Sequence, residues 1–223
     1  IRGIVFDGAS EVADAIRIDD TVTGAPVVIS GCTVRNYTNR FVYVSLSGKI
    51  ESLTIDDCIF IGADNSTTNK AIYASSAHTQ VETLSVTNST FLNFNTGSNY
   101  FFRINCGEEL VLMPVVLIDH CTFYNCYDRR GVYLYNAGRS TIKNCISAFS
   151  ERRDDTKSFT AYGDESIVKN VISYNVDLYG SAPKENIISK NPLFVDAENG
   201  NFQLYKDSPA VGAGDDGSDL GDP

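Results

Sequence analysis

The stretch Ile55-Asp56-Asp57-Cys58-Ile59-Phe60 runs apolar, variable, small polar, small inward-type, variable, aromatic. The same order returns at Ile118-Asp119-His120-Cys121-Thr122-Phe123. Working outward, it recurs at Ile1-Arg2-Gly3-Ile4-Val5-Phe6, at Ile29-Ser30-Gly31-Cys32-Thr33-Val34 and at Val86-Thr87-Asn88-Ser89-Thr90-Phe91. Looser copies follow at Ile142-Lys143-Asn144-Cys145-Ile146-Ser147 and Val168-Lys169-Asn170-Val171-Ile172-Ser173. First-residue spacings are 28, 26, 31, 32, 24 and 26. That spread is too wide for strict helical repeats, and no apolar pattern at i, i+3, i+4, i+7 is sustained.

The physical reading is a parallel β-solenoid of about seven coils. Each copy makes two short strands joined at a one-residue corner, occupied by Gly31, Asp57, Asn88, His120, Asn144 or Asn170. These residue types tolerate the left-handed backbone that such a corner needs. Stacking places Cys32, Cys58, Ser89, Cys121 and Cys145 in one interior column and Val34, Phe60, Phe91 and Phe123 in the next. One coil buries little alone, and its neighbours complete the core. Coils about 4.8 Å apart would give a stack roughly 30 Å tall.

A third strand follows each corner unit after a loop of variable length. Period-two alternation turns Val42/Val44, Ile72/Ala74, Phe102/Ile104 and Val132/Leu134 inward. Two outward columns remain. One reads Arg17, Tyr43, Tyr73, Arg103, Tyr133, Thr160; the other reads Asp19, Ser45, Ser75, Asn105, Tyr135, Tyr162. Tyrosine rings offer flat faces to sugar C–H groups, while Tyr, Arg, Ser and Asn supply hydrogen bonds. A parallel sheet repeats such a surface along its axis, which suits an extended polymer. The plainer reading is that tyrosine favours exposed strand positions and that the rings stabilise the sheet.

The units Ile55–Phe60 and Ile118–Phe123 resemble the corner repeats of the pectate-lyase-like right-handed parallel β-helix superfamily. The run Asn191-Pro192-Leu193-Phe194-Val195-Asp196, with Asn201-Phe202-Gln203-Leu204 and Asp207-Ser208-Pro209-Ala210, resembles its C-terminal closing segment. With the ending Gly221-Asp222-Pro223, the chain is most similar to β-helix proteins of Bacteroidetes glycan-utilisation systems. The resemblance implies an all-β, right-handed parallel β-helix: coils over residues 1–184 and a closing or capping segment over 185–223 of the same domain. It also implies a secreted or cell-surface location and polysaccharide as the partner. The repeat starts at Ile1 with no capping element before it, so further coils or domains are expected to precede it.

Composition narrows the function classes. The chain has 223 residues, 18 Lys+Arg against 28 Asp+Glu and a net charge of −10. A nucleic-acid binder should carry a basic footprint, so that class is set aside. No apolar run reaches 18 residues, so no spanning helix is expected. Residues 185–223 hold eight acidic and two basic residues, a net of −6, leaving −4 for residues 1–184. Arg40, Lys70, Arg103, Arg129, Arg130, Arg152, Arg153 and Lys157 gather beside the tyrosine columns, which suggests a local anionic target. The Asp-rich end reads as a solvated acidic tail, and the column cysteines read as small hydrophobes rather than disulfides.

These features support a module gripping an acidic, pectin- or uronate-type polysaccharide through Tyr43, Tyr73, Arg103, Asn105, Tyr133, Tyr135 and Tyr162. The alternatives are a structural or adhesive solenoid and a polysaccharide lyase. For a lyase, the resemblance implies an Arg or Lys base beside carboxylate-held calcium. Arg103, Arg129, Arg130 and Lys157 are the candidate bases, and Tyr133 or Tyr135 is a candidate proton donor. Calcium is optional in this reading, with Asp128, Asp154 and Asp155 as weak ligand candidates, because Asp19 is the only acid in the two outward columns. The motifs of β-helix polygalacturonases are missing. A monomer is the expected state.

Overall fold

The computed structural model describes residues 1–19, 24–45, 49–62, 69–76, 80–94, 100–106, 114–126, 129–135, 137–152 and 155–222. The side chains of Lys49, Ser75, Ser76, Gln80, Asn105 and Cys106 lie outside that description. Two parallel sheets wind around one core. In the first, Val27–Ser30, Lys49–Asp56, Gln80–Thr87 and Val115–Asp119 stack as the leading arms of the corners. Val5–Asp7, Thr33–Arg35, Ile59–Ile61, Thr90–Leu92 and Thr122–Tyr124 stack as the trailing arms. Both rows run onto Ser140–Ala148, which passes through its corner as a single strand and pairs with Ile167–Tyr174. The second sheet stacks Asp14–Asp19, Arg40–Ser45, Lys70–Ser76, Phe102–Cys106, Val132–Tyr135, Lys157–Ala161 and Asp177–Tyr179.

The coil count comes out lower than seven. Five turns, over residues 27–45, 49–76, 80–106, 115–135 and 140–161, carry corner and third strand in continuous register. The first turn meets its neighbour's leading arm through the isolated Arg2–Ser30 bridge and a hydrogen bond from the Ile1 amine to the Val28 carbonyl, and the last third strand pairs with a break in register. The ends are therefore partial coils.

The corners have the backbone the sequence demanded. Gly31, Asp57, Asn88, His120, Asn144 and Asn170 all have φ between 47° and 60°. Side-chain amides stack along this edge: Asn170 Nδ2 donates to Asn144 Oδ1 and Asn186 Nδ2 to Asn170 Oδ1. A second left-handed row, at Asn36, Asn93, Asn125 and Asn175, ends the trailing arms and redirects the chain toward the second sheet.

Inside, the cysteine column has a polar duty as well as a packing one. Cys32, Cys58, Cys121 and Cys145 each donate Sγ–H to the carbonyl two residues back, at 3.2, 3.2, 3.4 and 2.9 Å. Ser89 does the same with its hydroxyl at 2.7 Å, so the column adds a side-chain donor to carbonyls that, at Ser30, Asp56, Thr87 and Asp119, also accept a backbone amide from the neighbouring coil. Burial pushes the Cys58 thiol up to about 11 and Cys126 to about 12. The five described cysteines are buried and free. In native protein at pH 8 they should resist iodoacetamide, and all should react once guanidinium unfolds the chain. Rapid native alkylation of Cys58 or Cys126, read by peptide mass, would contradict this packing.

The C-terminal segment is not a solvated tail. After Lys184–Ile188 pairs with Ile167–Tyr174, the chain makes the antiparallel hairpin Phe194–Asp196/Asn201–Leu204 and returns along the outer face of the first sheet. Leu220 is buried beside Ile146, Ile172 and Ala210. Gly221 N–H donates to the Asn144 carbonyl, and Asp222 N–H to Thr122 Oγ1. Asp215 sits between Lys169 at 2.9 Å and Lys143 at 3.2 Å. Local sequence held no sign of this, because the partners lie in coils far back along the chain. Hydrogen bonds from Asn144, Lys169 and Lys143 hold Asp215 well below the usual carboxylate range. Its contribution is therefore present above the unfolded value near pH 4 and fades as pH falls below it. Asp215→Asn should cost about 1–2 kcal/mol at neutral pH. Chemical denaturation should show that difference shrinking below about pH 4; a pH-independent difference would contradict the charge pairing.

Candidate functional site

Burial of Val42, Val44, Ile72, Ala74, Phe102, Ile104, Val132 and Leu134 leaves the alternate residues of the second sheet pointing outward. The register aligns Arg17 with Tyr43, Tyr43 with Tyr73, Tyr73 with Arg103, Arg103 with Tyr133, and Tyr133 with Thr160. The neighbouring column aligns Asp19 with Ser45, and Ser75 with Asn105 and Tyr135. Tyr162 follows the end of its strand and completes that column by ring contact, 5.6 Å from Tyr135.

The rings form one continuous array. Tyr43 and Tyr73 are 6.0 Å apart, and Tyr133 stacks on Tyr135 at 5.8 Å with 4° between planes. A residue outside the repeat joins them. Tyr100, just ahead of Phe102–Cys106, lies 6.2 Å from Tyr73 and 5.9 Å from Tyr133. It fills the gap that Arg103 leaves in the aromatic row. Covered by these neighbours, Tyr133 is only 6% exposed, so its ring supports the face more than it offers surface. Burial raises the phenols of Tyr100 and Tyr133 above their ordinary value, and both are neutral donor–acceptors at neutral pH.

The cations divide into two groups. Arg40 forms a two-pronged pair with Asp14 at 2.8 Å, and Arg152 and Lys157 share Asp177. Arg17, Arg103 and Arg130 instead lie against tyrosines, 5.5 Å from the Tyr43 ring, 4.5 Å from Tyr100 and 4.7 Å from Tyr133. Among the described residues none of these three meets a carboxylate. Arg40 also stacks on Tyr43 at 3.6 Å and Lys70 on Tyr100 at 5.1 Å, while Arg129 is exposed and separately engaged.

Of the weak calcium candidates, Asp128 and Asp154 lie outside the described residues and Asp155 is exposed. Among the described residues no three His, Cys, Asp or Glu side chains are placed to share a metal ion. No described helix is long and apolar enough to cross a membrane.

A cleft of about 1290 Å³ lies elsewhere, between the C-terminal strap and the first sheet, lined in part by Thr90, His120, Phe202, Ser218 and Asp222. Within it Asp119 Oδ1 is 2.9 Å from His120 Nδ1, and His120 Nε2 is 2.7 Å from Ser218 Oγ. The spacing matches a nucleophile relay, but the surroundings do not. Ser218 donates its hydroxyl to Asp216. The amides of Gly217, Ser218, Leu220, Gly221 and Asp222 are all bonded, so none of these is free to meet an oxyanion. The row is a clasp that fixes the strap to the His120 corner.

Comparison with known proteins bears on the first coils. Residues 1–94 match the family model described as Domain of unknown function (DUF4957). That stretch holds Arg17, Tyr43 and Tyr73 and ends before Tyr100, Arg103 and Tyr133. No curated protein matches the chain.

Proposed function

We propose that the outer face of the second sheet binds an acidic polysaccharide of pectin or uronate type, in a secreted or surface-attached protein. The observation that carries this is the state of Arg17, Arg103 and Arg130. The chain has ten more acidic than basic residues, and three other cations near this sheet, Arg40, Arg152 and Lys157, find carboxylates. Arg17, Arg103 and Arg130 are backed by tyrosine rings and meet no carboxylate among the described residues. A guanidinium held by an aromatic face and short of an acid partner is suited to a carboxylate brought by a ligand. The rings alongside supply the apolar faces that pyranose C–H groups pack against.

The test is to run the protein through gels containing polygalacturonate, alginate or glycosaminoglycans, with and without calcium, while following unsaturated uronate by absorbance. Retardation by at least one acidic polymer without new absorbance is expected. New absorbance would make the protein a lyase, and free migration in every polymer would end the binding reading.

A further inference from the structure

Four consecutive strands of the second sheet put Arg17, Tyr43, Tyr73 and Arg103 in one column, each the register partner of the next. The contacts run without a gap. The Arg17 guanidinium carbon is 5.5 Å from the Tyr43 ring centre, the two ring centres are 6.0 Å apart, and the Arg103 guanidinium carbon is 6.0 Å from the Tyr73 ring centre. Two tyrosines are thus bracketed by two arginines, and among the described residues neither arginine meets a carboxylate. Arg40, which also lies on Tyr43, already gives its charge to Asp14. Arg103 is braced from one side by Tyr100, whose hydroxyl accepts a hydrogen bond from Nη1. In-register strands fix the interval between the two arginine positions at three strand spacings, about 14 Å.

A pyranose in an extended chain advances by about one strand spacing, so that interval separates the first sugar from the fourth. Chain symmetry then decides which carboxylates can be read together. In a chain with two sugars per turn, the first and fourth carboxylates point to opposite sides; with three per turn they point to the same side. We infer that the face binds a uronate chain in a threefold form, lying along the solenoid axis. Arg17 and Arg103 take the carboxylates of its first and fourth sugars, and Tyr43 and Tyr73 lie against the two between. The inference rests on the acidic-glycan reading and gives that reading its register and minimum length. Either arginine alone makes one water-exposed charge pair, which is worth little. Once one is engaged, the chain presents the second carboxylate at high local concentration, and the two contacts act together. A dimer or trimer reaches one arginine; a tetramer is the shortest chain that reaches both.

The test uses oligouronides of two to six sugars, cut from the polymer that retards the protein, polygalacturonate or alginate, as competitors in the same gels. The concentration that halves retardation should fall by about tenfold from trimer to tetramer, and by less than about threefold at every other step. Arg17→Gln, at an exposed side chain, should return the tetramer to the wild-type trimer's value while shifting the trimer by less than about twofold. Its thermal midpoint should match wild type, which separates a lost contact from a lost fold. A smooth gain per sugar with no step at four, with polymer binding intact, would overturn the spacing while sparing the parent reading. A tetramer that competes equally well against Arg17→Gln would overturn it too. Wild-type protein that ignores every acidic glycan would instead reject the reading on which the spacing rests.

Discussion

Replacing Phe91 by alanine is expected to remove about 3–5 kcal/mol of stability and lower the unfolding midpoint by about 10–15 °C. Phe91 is fully buried at the centre of the interior stack, with ring centres 5.0 Å from Phe60 and 4.8 Å from Phe123. The planes are within 8° of parallel, because in-register parallel strands repeat one rotamer coil after coil. Phe102 closes the stack from the second sheet at 6.3 Å. Alanine would leave a void that the flanking rings cannot fill without leaving their own register. Phe91→Leu, which keeps most of the volume, should cost much less. Tyr205→Ala, at a side chain 54% exposed, should change stability by less than about 0.5 kcal/mol. Thermal unfolding followed by circular dichroism checks all three. A Phe91→Ala midpoint within a few degrees of wild type would mean that the stack does not carry the core.

Gly131→Ala should cost a comparable amount, about 3–5 kcal/mol, for a backbone reason. Gly131 has φ of +59° and leads into Val132–Tyr135, and a Cβ there would sit 2.2 Å from the carbonyl oxygens of Lys157 and Ser158. Those oxygens belong to the next strand of the second sheet, so relief requires moving the ladder beneath Tyr133 and Tyr162. Gly200→Ala separates the two causes. Gly200 also has positive φ, at +80°, but a Cβ there meets nothing within 4 Å. Backbone strain alone predicts similar losses at both positions. The close approach predicts a loss several-fold greater at Gly131, with the tyrosine near-UV signal altered there and unchanged at Gly200.

What the sequence disclosed and what it hid follow from the range of each interaction. Corners were legible because a left-handed residue restricts its own identity, so Asp57, Asn88, His120 and Asn144 mark the coils wherever they fall. The inward and outward faces were legible because strand alternation is a two-residue signal. The aromatic row was legible in Tyr43, Tyr73 and Tyr133 for the same reason. Tyr100 was missed because it stands one step outside the repeat and joins the row by ring contact, not by register. The strap was misread because Asp215 is neutralised by Lys143 and Lys169, and such distant partners leave no mark on an acidic stretch. Charge counting overstated the basic cluster, since Arg40 spends its charge on Asp14 in the preceding coil. That pairing was in principle readable, because the two residues are register partners.

The central claim is that arginines on the tyrosine face recognise carboxylates along a polymer. It is tested most directly by comparing retardation in polygalacturonate with retardation in the same polymer after its carboxyl groups are reduced to alcohols. The account predicts strong retardation by the acidic polymer, weakening as salt is added, and little by the reduced one. Equal retardation by both would contradict it.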